Sequence, residues 1–265
     1  MTQHPRAPQR RRRPTSPFTA ARLGGGALVI LISLVLLSGA QATQRVYPLV
    51  FELAPFGSDA QTSLWIENGG QTPTSVEIVV NSVSMTEDGT ESWTPADEDF
   101  LIFPPLAVVQ PGGTQKVAVQ YVGDPDLKAS KAFRVSVRQV PVDLSGSGTV
   151  GVAVAVNFNT LANVVPNGVA AELQPRSLTP QSEDGKWEIV LENTGTRFAR
   201  FSEMEWSFED AAGQSQVIAG NDLKGMTEGN GSNFLPPQTT RRLRIPALQG
   251  LNPTTTRVNV SVKTE

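Results

Sequence analysis

The side chains that most often carry chemistry in proteins are nearly absent from this sequence. Its 265 residues include no cysteine, and the single histidine is His4. A catalytic Ser-His-Asp or Cys-His group needs these side chains, as do the usual zinc, haem and iron–sulfur sites. We therefore predict that the chain is not an enzyme, that it has no catalytic residues, and that it binds no metal and no other cofactor.

Clustered carboxylates are the remaining candidates for such chemistry. Residues 87–91 and 123–126 carry oxygen ligands that suit calcium, but their spacing matches no calcium-binding loop, and Asp-Gly and Asp-Pro are common in turns. Residues 97–99 resemble the acid pair of a glycosidase, although adjacent acids in a loop are usually just solvated. Trp65 and Trp187 fall within predicted strands, which favours the core over a role as carbohydrate platforms.

Residues 1–42 have the composition of a cleaved signal peptide. The basic run Arg10–Arg13 precedes an apolar run of eleven residues at 27–37, too short for a membrane span of ~20 residues. Small residues then predict cleavage after Ala42 and a periplasmic protein without a stable membrane anchor; an uncleaved anchor is the alternative. Without this leader, 16 basic and 25 acidic residues remain, and a net charge of about −9 argues against nucleic acid as a partner.

The rest of the chain has the pattern of an all-β protein. Runs rich in Val, Ile, Phe and Thr alternate with turn residues, and no window has helical apolar spacing. The strands predicted first are Val46–Leu53, Thr62–Asn68, Thr74–Met85, Leu106–Val109, Thr114–Val122, Ala132–Val142 and Val150–Phe158. The later ones are Ala170–Leu173, Trp187–Asn193, Phe201–Phe208, Gln216–Ile218, Arg241–Ile245 and Arg257–Val262. This pattern predicts two immunoglobulin-like β-sandwich domains, residues 43–165 and 166–265.

The strand predicted at Val150–Phe158 has an unusual alternation. We call its bulky positions the apolar row: Val150, Val152, Val154, Val156 and Phe158. The small side chains between them are suited to cover a core, so we predict that the apolar row faces away from it. No charge or proline guards the strand, which favours pairing of its edge with another protein. A central strand buried on both faces is the alternative.

Several segments resemble the motifs of periplasmic pilus-assembly chaperones, the PapD-like family. Phe100–Pro105 followed by Val109–Val117 resembles the family's PP…PG-x-x-Q stretch. Phe133–Pro141 is similar to the strand before its flexible loop, and Thr62–Gly70 is similar to its early L-W-x-x-N strand. The resemblance covers nearly the whole first predicted domain and is fainter in the second. The opening strand is closer to the divergent, archaic branch that serves spore-coat-like subunits.

The resemblance implies a fold and a function. Such chaperones have two immunoglobulin-like domains set as an L or boomerang, and they bind pilus or spore-coat-like subunits by donor-strand complementation. The last strand of the first domain completes a subunit that lacks one strand, and the subunit is delivered to an outer-membrane usher. By position, the apolar row would be the subunit-binding strand. The alternative is a two-domain immunoglobulin-like structural or adhesive cell-surface protein.

One part of the family pattern does not carry over to this chain. Well-studied members hold the subunit's C-terminal carboxylate between the domains, with an arginine on the first strand and a lysine on the last. Glu52 and Leu161 stand at these two places. The basic residues that are candidates to replace them are Arg45, Lys116, Arg134 and Arg138.

Overall fold

The computed structural model describes four stretches of the chain: residues 44–140, 156–180, 185–226 and 232–262. The predicted signal peptide and its cleavage site after Ala42 lie outside the described residues, and so do Val150, Val152 and Val154 of the apolar row. Within the described stretches, no helix is long and apolar enough to cross a membrane.

The first part of the chain forms ten strands. They are β1 Gln44–Tyr47, β2 Val50–Leu53, β3 Gln61–Asn68, β4 Thr74–Met85, β5 Glu91–Pro95, β6 Phe100–Phe103, β7 Leu106–Val109, β8 Thr114–Tyr121, β9 Lys131–Val140 and β10 Asn157–Val164. Buried and exposed residues alternate along several of them, as in β3, where Leu64 and Ile66 are buried between more exposed neighbours. A strand with this pattern contributes one face to a core.

These strands pack as two sheets. One sheet has the order β1-β3-β8-β6, and the other has the order β2-β10-β9-β4-β5, with β7 also paired to β4. The described neighbours are antiparallel except for β10 and β2, which run parallel. The apolar faces of both sheets meet in one core, whose fully buried members include Leu64, Ile66, Val117, Phe133 and Val135.

The second part of the chain forms another sandwich with its own core. Its elements are β11 Leu173–Pro180, β12 Lys186–Asn193, β13 Met204–Glu209, β14 Ser215–Ala219, α1 Gly220–Met226, β15 Thr239–Pro246 and β16 Arg257–Val262. The strands form sheets of order β11-β12-β15 and β14-β13-β16 around a core that includes Leu191, Trp206, Phe208 and Ile245. The predicted all-β class with two β-sandwiches is confirmed. The exact domain boundary at residues 165 and 166 stays a prediction.

Several predicted strands differ from the observed ones. The strand predicted at Val46–Leu53 is divided into β1 and β2, which belong to different sheets, because Pro48 between them has no N–H to continue a ladder. The strand predicted at Ala170–Leu173 instead begins at its last residue and continues to Pro180. The sequence does not predict β5 and β6, since the acidic stretch between them has the composition of a loop.

The prediction of a core position is confirmed for Trp187 and wrong for Trp65. Trp187 is buried in the second core. Trp65 is 37% exposed and lies on the outer face of β3, where its ring stacks on that of Tyr47 with 6.5 Å between centroids. Lys116 Nζ lies 5.4 Å from the same ring. The strand alternation, rather than the size of the side chain, decides which face each residue takes.

The phenol of Tyr121 should have a pKa well above that of an ordinary tyrosine. Burial of its phenol, together with the nearby charges of Asp99 and Asp124, raises the pKa of Tyr121 from 10.0 to about 12. Between these two values the unfolded chain loses this proton and the folded protein keeps it, so stability is complete below pH 10 and falls as the pH rises to 12. The test is an absorbance titration of the Tyr47→Phe variant, in which Tyr121 is the remaining tyrosine of the two in the chain. A transition at an ordinary tyrosine pKa in the folded variant would contradict this expectation.

Candidate binding edge and cleft

Half of one side of β10 has no partner strand among the residues that the structure describes. The strand is predicted to end at Phe158, but β10 runs from Asn157 to Val164, so the predicted end is wrong, whereas the predicted start at Val150 lies outside the described residues. Along one hydrogen-bonding edge, β10 pairs with β9 over its whole length. Along the other edge, which we call its second side, β2 pairs only with Leu161–Val164. No described strand pairs with the second side of residues 157–160, which we call the open edge.

The main-chain groups of Asn157 and Asn159 face the open edge. Leu161 donates its N–H towards that side, to the carbonyl oxygen of Leu49 at 2.8 Å. Successive residues of an antiparallel strand alternate in direction, so residues 157 and 159 share the direction of Leu161, and residues 158 and 160 face β9. The N–H of Val156 agrees with this alternation, because it donates to a side-chain oxygen of β9 at 3.2 Å. The open edge therefore offers two N–H donors and two carbonyl acceptors to a further strand.

The side chains of β10 reverse the predicted orientation. Phe158, the last member of the apolar row, packs against the first core, while Asn157 and Asn159 are exposed. The prediction that the bulky side chains face away from the core is thus wrong at Phe158. The side chains of Ala162 and Val164 lie in the core on the same side of the strand as Phe158. Because residues at every second position share one side, these two residues determine that Phe158 also faces the core.

Arg134 lies beside the open edge in a partly buried ion pair. Its Nη2 and Nε donate to the two carboxylate oxygens of Glu91 at 2.6 and 3.0 Å, and Trp93 Nε1 donates to the same carboxylate at 2.9 Å. Burial alone would raise the pKa of Glu91, but the hydrogen bonds from Arg134 and Trp93 outweigh it and lower the pKa. Arg134 Nη1 also lies 3.5 Å from the carbonyl oxygen of Asn159. This guanidinium is therefore already committed to partners within the fold.

An apolar cluster joins the two sandwiches next to β10. Leu161 and Ala132 of the first sandwich are grouped with Phe198 and Phe234 of the second. The N–H of Phe198 donates to Ser130 Oγ at 2.8 Å, which fastens this segment of the second sandwich to the first. Leu161, at the family's lysine position, is thus an interface residue.

Glu52 binds two arginines that come from the second sandwich. Arg197 Nη2 donates to Oε2 of Glu52 at 2.7 Å, and Arg200 Nη2 donates to Oε1 at 3.0 Å. Both guanidinium groups lie over the ring of Phe198, at 5.2 and 4.8 Å from its centroid. Burial opposes the charge of Arg200, but its contacts with Glu203 and Glu52 outweigh burial and raise its pKa. In the family pattern the first domain provides the basic residues of the cleft. Here the first sandwich provides the acidic residue Glu52, and the second sandwich provides the arginines.

A polar cleft of about 330 Å³ opens beside this cluster. Its lining includes Glu52, Arg197, Asp59 and residues 165–169, which connect the two sandwiches. Asn163 is the neighbour of Glu52 in the pairing of β10 with β2. It is fully buried, and in the described part of the chain neither its Oδ1 nor its Nδ2 has a hydrogen-bond partner. An amide buried in this way is uncommon and costs free energy until a partner satisfies it.

The turn between β4 and β5 makes a second contact with the later sandwich. Arg242 donates its N–H to the carbonyl oxygen of Glu87 at 2.7 Å and its Nη2 to the Glu87 carboxylate at 3.0 Å. Arg241 is buried, which lowers its pKa, and its Nη1 donates to the carbonyl oxygen of Phe234 at 3.3 Å. Gly89, with φ +89°, leaves room for this guanidinium where a Cβ would overlap it. The two sandwiches are therefore held together at two separate places.

The four predicted anchor residues fall on opposite faces of the first sandwich. Arg45 and Lys116 lie on β1 and β8, in the sheet that does not contain β10. Arg134 and Arg138 lie on β9, directly opposite Leu161 and Asn157 of β10. The structure thus brings two of the four next to the open edge and separates the other two from it.

Arg197 and Arg200 are the cleft residues that sequence reasoning misses. Arg197 lies 145 residues from Glu52 in the sequence, so no local motif connects them. The local sequence feature that connects them is their position on either side of Phe198. This feature indicates a binding site only when the ring is known to be buried between the two sandwiches.

Asp88, considered for metal binding, and Asp99, considered for acid–base chemistry, both have partners within the fold. Asp88 accepts hydrogen bonds from Thr86 and Thr90 in its turn. Asp99 forms an ion pair with Lys131 at 3.0 Å. Among the described residues, no group of three acidic or other metal-binding side chains is placed to hold an ion.

Residues 55–165 match the family described as pili and flagellar-assembly chaperone, PapD N-terminal domain. Residues 55–165 therefore correspond to the N-terminal domain of PapD-type chaperones, and we call them the PapD-type domain. This domain contains β10 with the open edge, and the match confirms the family resemblance drawn from the sequence motifs. No curated protein sequence matches the chain.

The PapD-type domain and the second sandwich together have the fold of solved fimbrial chaperones. A chain from the CsuC–CsuE chaperone–tip adhesion subunit pre-assembly complex of the archaic chaperone–usher Csu pili of Acinetobacter baumannii is 16% identical, with TM-score 0.53 over 84% of this chain and 100% of that one. The class 5 fimbriae chaperone CfaA is 12% identical, with TM-score 0.53 over 83% and 100%. A chain from the complex of Salmonella enterica SafA pilin with the SafB chaperone is 15% identical, with TM-score 0.51 over 77% and 84%. At these identities the likeness concerns the fold.

Proposed function

We propose that this protein is a periplasmic chaperone that binds incomplete pilus or coat subunits, here called clients, by donor-strand complementation and delivers them to an outer-membrane usher. The observation that carries the proposal is the open edge of β10, which follows an unguarded apolar row in a PapD-type domain. Solved structures of the same fold are described as complexes with a tip adhesion subunit and with a pilin.

The open edge supplies the main-chain part of this binding. A client that lacks one strand has unpaired N–H and carbonyl groups along a gap in its sheet, and buried groups of this kind must find partners. Asn157 and Asn159 direct their main-chain groups to the side that a client strand would occupy. Pairing there adds a strand to the client, which is the usual form of β-augmentation.

The apolar row supplies the side-chain part. Its members occupy every second position, in phase with Phe158, which packs on the core side of β10. If the residues before β10 are extended in the complex, the valines of the apolar row would project on the same side of the strand as Phe158. They would lie beyond the end of the sandwich and could enter the gap in the client core. Each valine buried there contributes roughly 1.5 kcal/mol or more.

The cleft supplies an anchor for the client's C-terminal carboxylate. We assign this role to Arg197 and Arg200, since Arg45 and Lys116 lie in the other sheet. Two guanidinium groups fixed on one aromatic ring present paired donors that match the geometry of a carboxylate. Arg134 and Arg138 flank the open edge, where exposed Arg138 is available to a client side chain.

Capture of a client by the tagged mature protein tests the proposal. The protein is co-expressed in the periplasm with subunits encoded by neighbouring genes, and wild type is expected to co-purify with one of them in a one-to-one complex. Val154→Asp should fold and lose capture, because a charge would enter an apolar groove unpaired at a cost of roughly several kcal/mol. The matched control is Val217→Asp, at a valine of β14 that is 65% exposed, and it should capture the client normally.

Two outcomes would contradict the proposal. One is a complete absence of captured subunits, and the other is equal capture by Val154→Asp and wild type. Self-association or retention at the cell surface in their place would favour the structural or adhesive protein.

A further inference from the structure

The carboxylate of Glu52 occupies the position that a bound carboxylate would take in the cleft. Each of its two oxygens accepts from a different arginine, at 2.7 and 3.0 Å. The same two guanidinium groups share the ring of Phe198. This is the arrangement in which arginines usually bind a carboxylate ligand, with the ligand provided here by the chain itself.

We infer that Glu52 is an internal substitute for the client's C-terminal carboxylate and that the client displaces it on binding. The inference rests on the proposed function. In the free chaperone, Glu52 neutralises the arginines and links the two sandwiches across the cleft. In the complex, the client carboxylate takes over Arg197 and Arg200, and the Glu52 side chain turns towards solvent.

The surroundings of Glu52 favour an exchange of this kind. The side chains of Glu52 and Arg197 are 34% and 36% exposed, so their ion pair is partly screened by water and contributes little to stability. The adjoining cleft of about 330 Å³ has room for the last residue of a client. Among the described residues, Arg197 pairs only with Glu52, while Arg200 also pairs with Glu203 at 2.8 Å. Displacement of Glu52 therefore frees Arg197 and leaves Arg200 oriented by Glu203.

Asn163, which pairs with Glu52 across β10 and β2, is a second polar group at this place, and in the described part of the free protein its side chain lacks a partner. Its buried amide has no partner for either polar atom, and it neighbours Glu52 in the strand register. A buried amide without hydrogen-bond partners lowers the stability of the free protein.

The arrangement also explains how the cleft would select its ligand. A neutral client side chain or a main-chain carbonyl lacks the charge of Glu52 and would not displace it. A free C-terminal carboxylate carries the same charge and arrives already held by the pairing at the open edge. Only a client engaged at both places would then open the contact between Glu52 and the arginines.

The test compares the rate at which a captured client dissociates from wild type, Glu52→Gln and Glu192→Gln. The client is the subunit that co-purifies with the wild-type chaperone. Glu52→Gln removes the competing charge, so dissociation should slow by about five-fold or more. Glu192→Gln is the matched control: it removes a carboxylate of similar exposure that pairs with Arg176 outside the cleft, and it should leave the rate nearly unchanged.

A client prepared with a C-terminal carboxamide separates this mechanism from a general effect on folding. With that client, Glu52→Gln and wild type should release at the same rate. Unchanged or faster release of the unmodified client from Glu52→Gln would overturn the inference, and so would equal slowing of both clients. Failure of wild type to capture any client would instead contradict the proposed function itself.

Discussion

Replacing Asn159 by proline is expected to reduce client capture by about ten-fold or more while the free chaperone stays folded. The N–H of Asn159 faces the open edge, so its loss removes no hydrogen bond to β9. The proline ring would occupy the space through which a client strand must approach. Natural edge strands use proline in this way to prevent pairing.

The matched controls for this prediction lie at the same position and at the one before it. Asn159→Ala keeps the N–H and should capture clients as wild type does. Phe158→Pro removes an N–H that faces β9 and should lower the stability of the free protein, which thermal unfolding measures. Normal capture by a folded Asn159→Pro variant would contradict the assignment of the open edge.

Replacing both Arg197 and Arg200 by methionine is expected to weaken client retention by roughly 100-fold. Hydrogen bonds to charged groups contribute about 1.5–3 kcal/mol each, and the double variant loses those from two guanidinium groups. Methionine retains the length and the apolar contact with Phe198 while removing the charge. The measurement is the equilibrium affinity of the purified chaperone for the client that wild type captures.

Arg176→Met is the matched control for the arginine pair. Arg176 is bonded to Glu192 on the surface of the second sandwich, so its loss should not affect affinity. A client that ends in a carboxamide should bind wild type and the double variant equally. Equal affinity of the double variant and wild type for the unmodified client would place the anchor elsewhere, with Arg138 as the next candidate.

The alternation of residue types predicts much of the fold and part of the site. The β4 and β16 strands begin and end where the sequence predicts, because their apolar residues alternate between clear turn signals. The same alternation singles out the apolar row before the position of β10 is known. It does not fix the end of β10, since Asn159 and Asn163 are residue types that are depleted in strands, although the strand continues through both to Val164.

The orientation of β10 depends on contacts that are distant in sequence. Small residues alternate with bulky ones before Phe158, and either set can face a core when only the local pattern is considered. Ala162 and Val164 settle the question because they pack between two sheets whose other strands lie far away along the chain. A period of two assigns residues to two faces, but only tertiary packing tells which face is inside.

The cleft is the part of the site that sequence reasoning cannot reach. The family pattern predicts basic residues at the positions of Glu52 and Leu161, but an acidic and an apolar side chain stand there. Arg197 and Arg200, which we propose in their place, belong to the second sandwich and contact Glu52 across the interface between the two sandwiches. Such a compensating exchange across an interface leaves no signal within one segment of a single sequence.

Residue-resolved hydrogen exchange of the free and client-bound chaperone tests the central claim most directly. The amides of Asn157 and Asn159 should exchange quickly in the free protein and become strongly protected in the complex. The amides of Phe158 and Thr160, which face β9, should be protected in both states and serve as internal controls. A complex in which Asn157 and Asn159 exchange as fast as in the free protein would contradict strand pairing at the open edge.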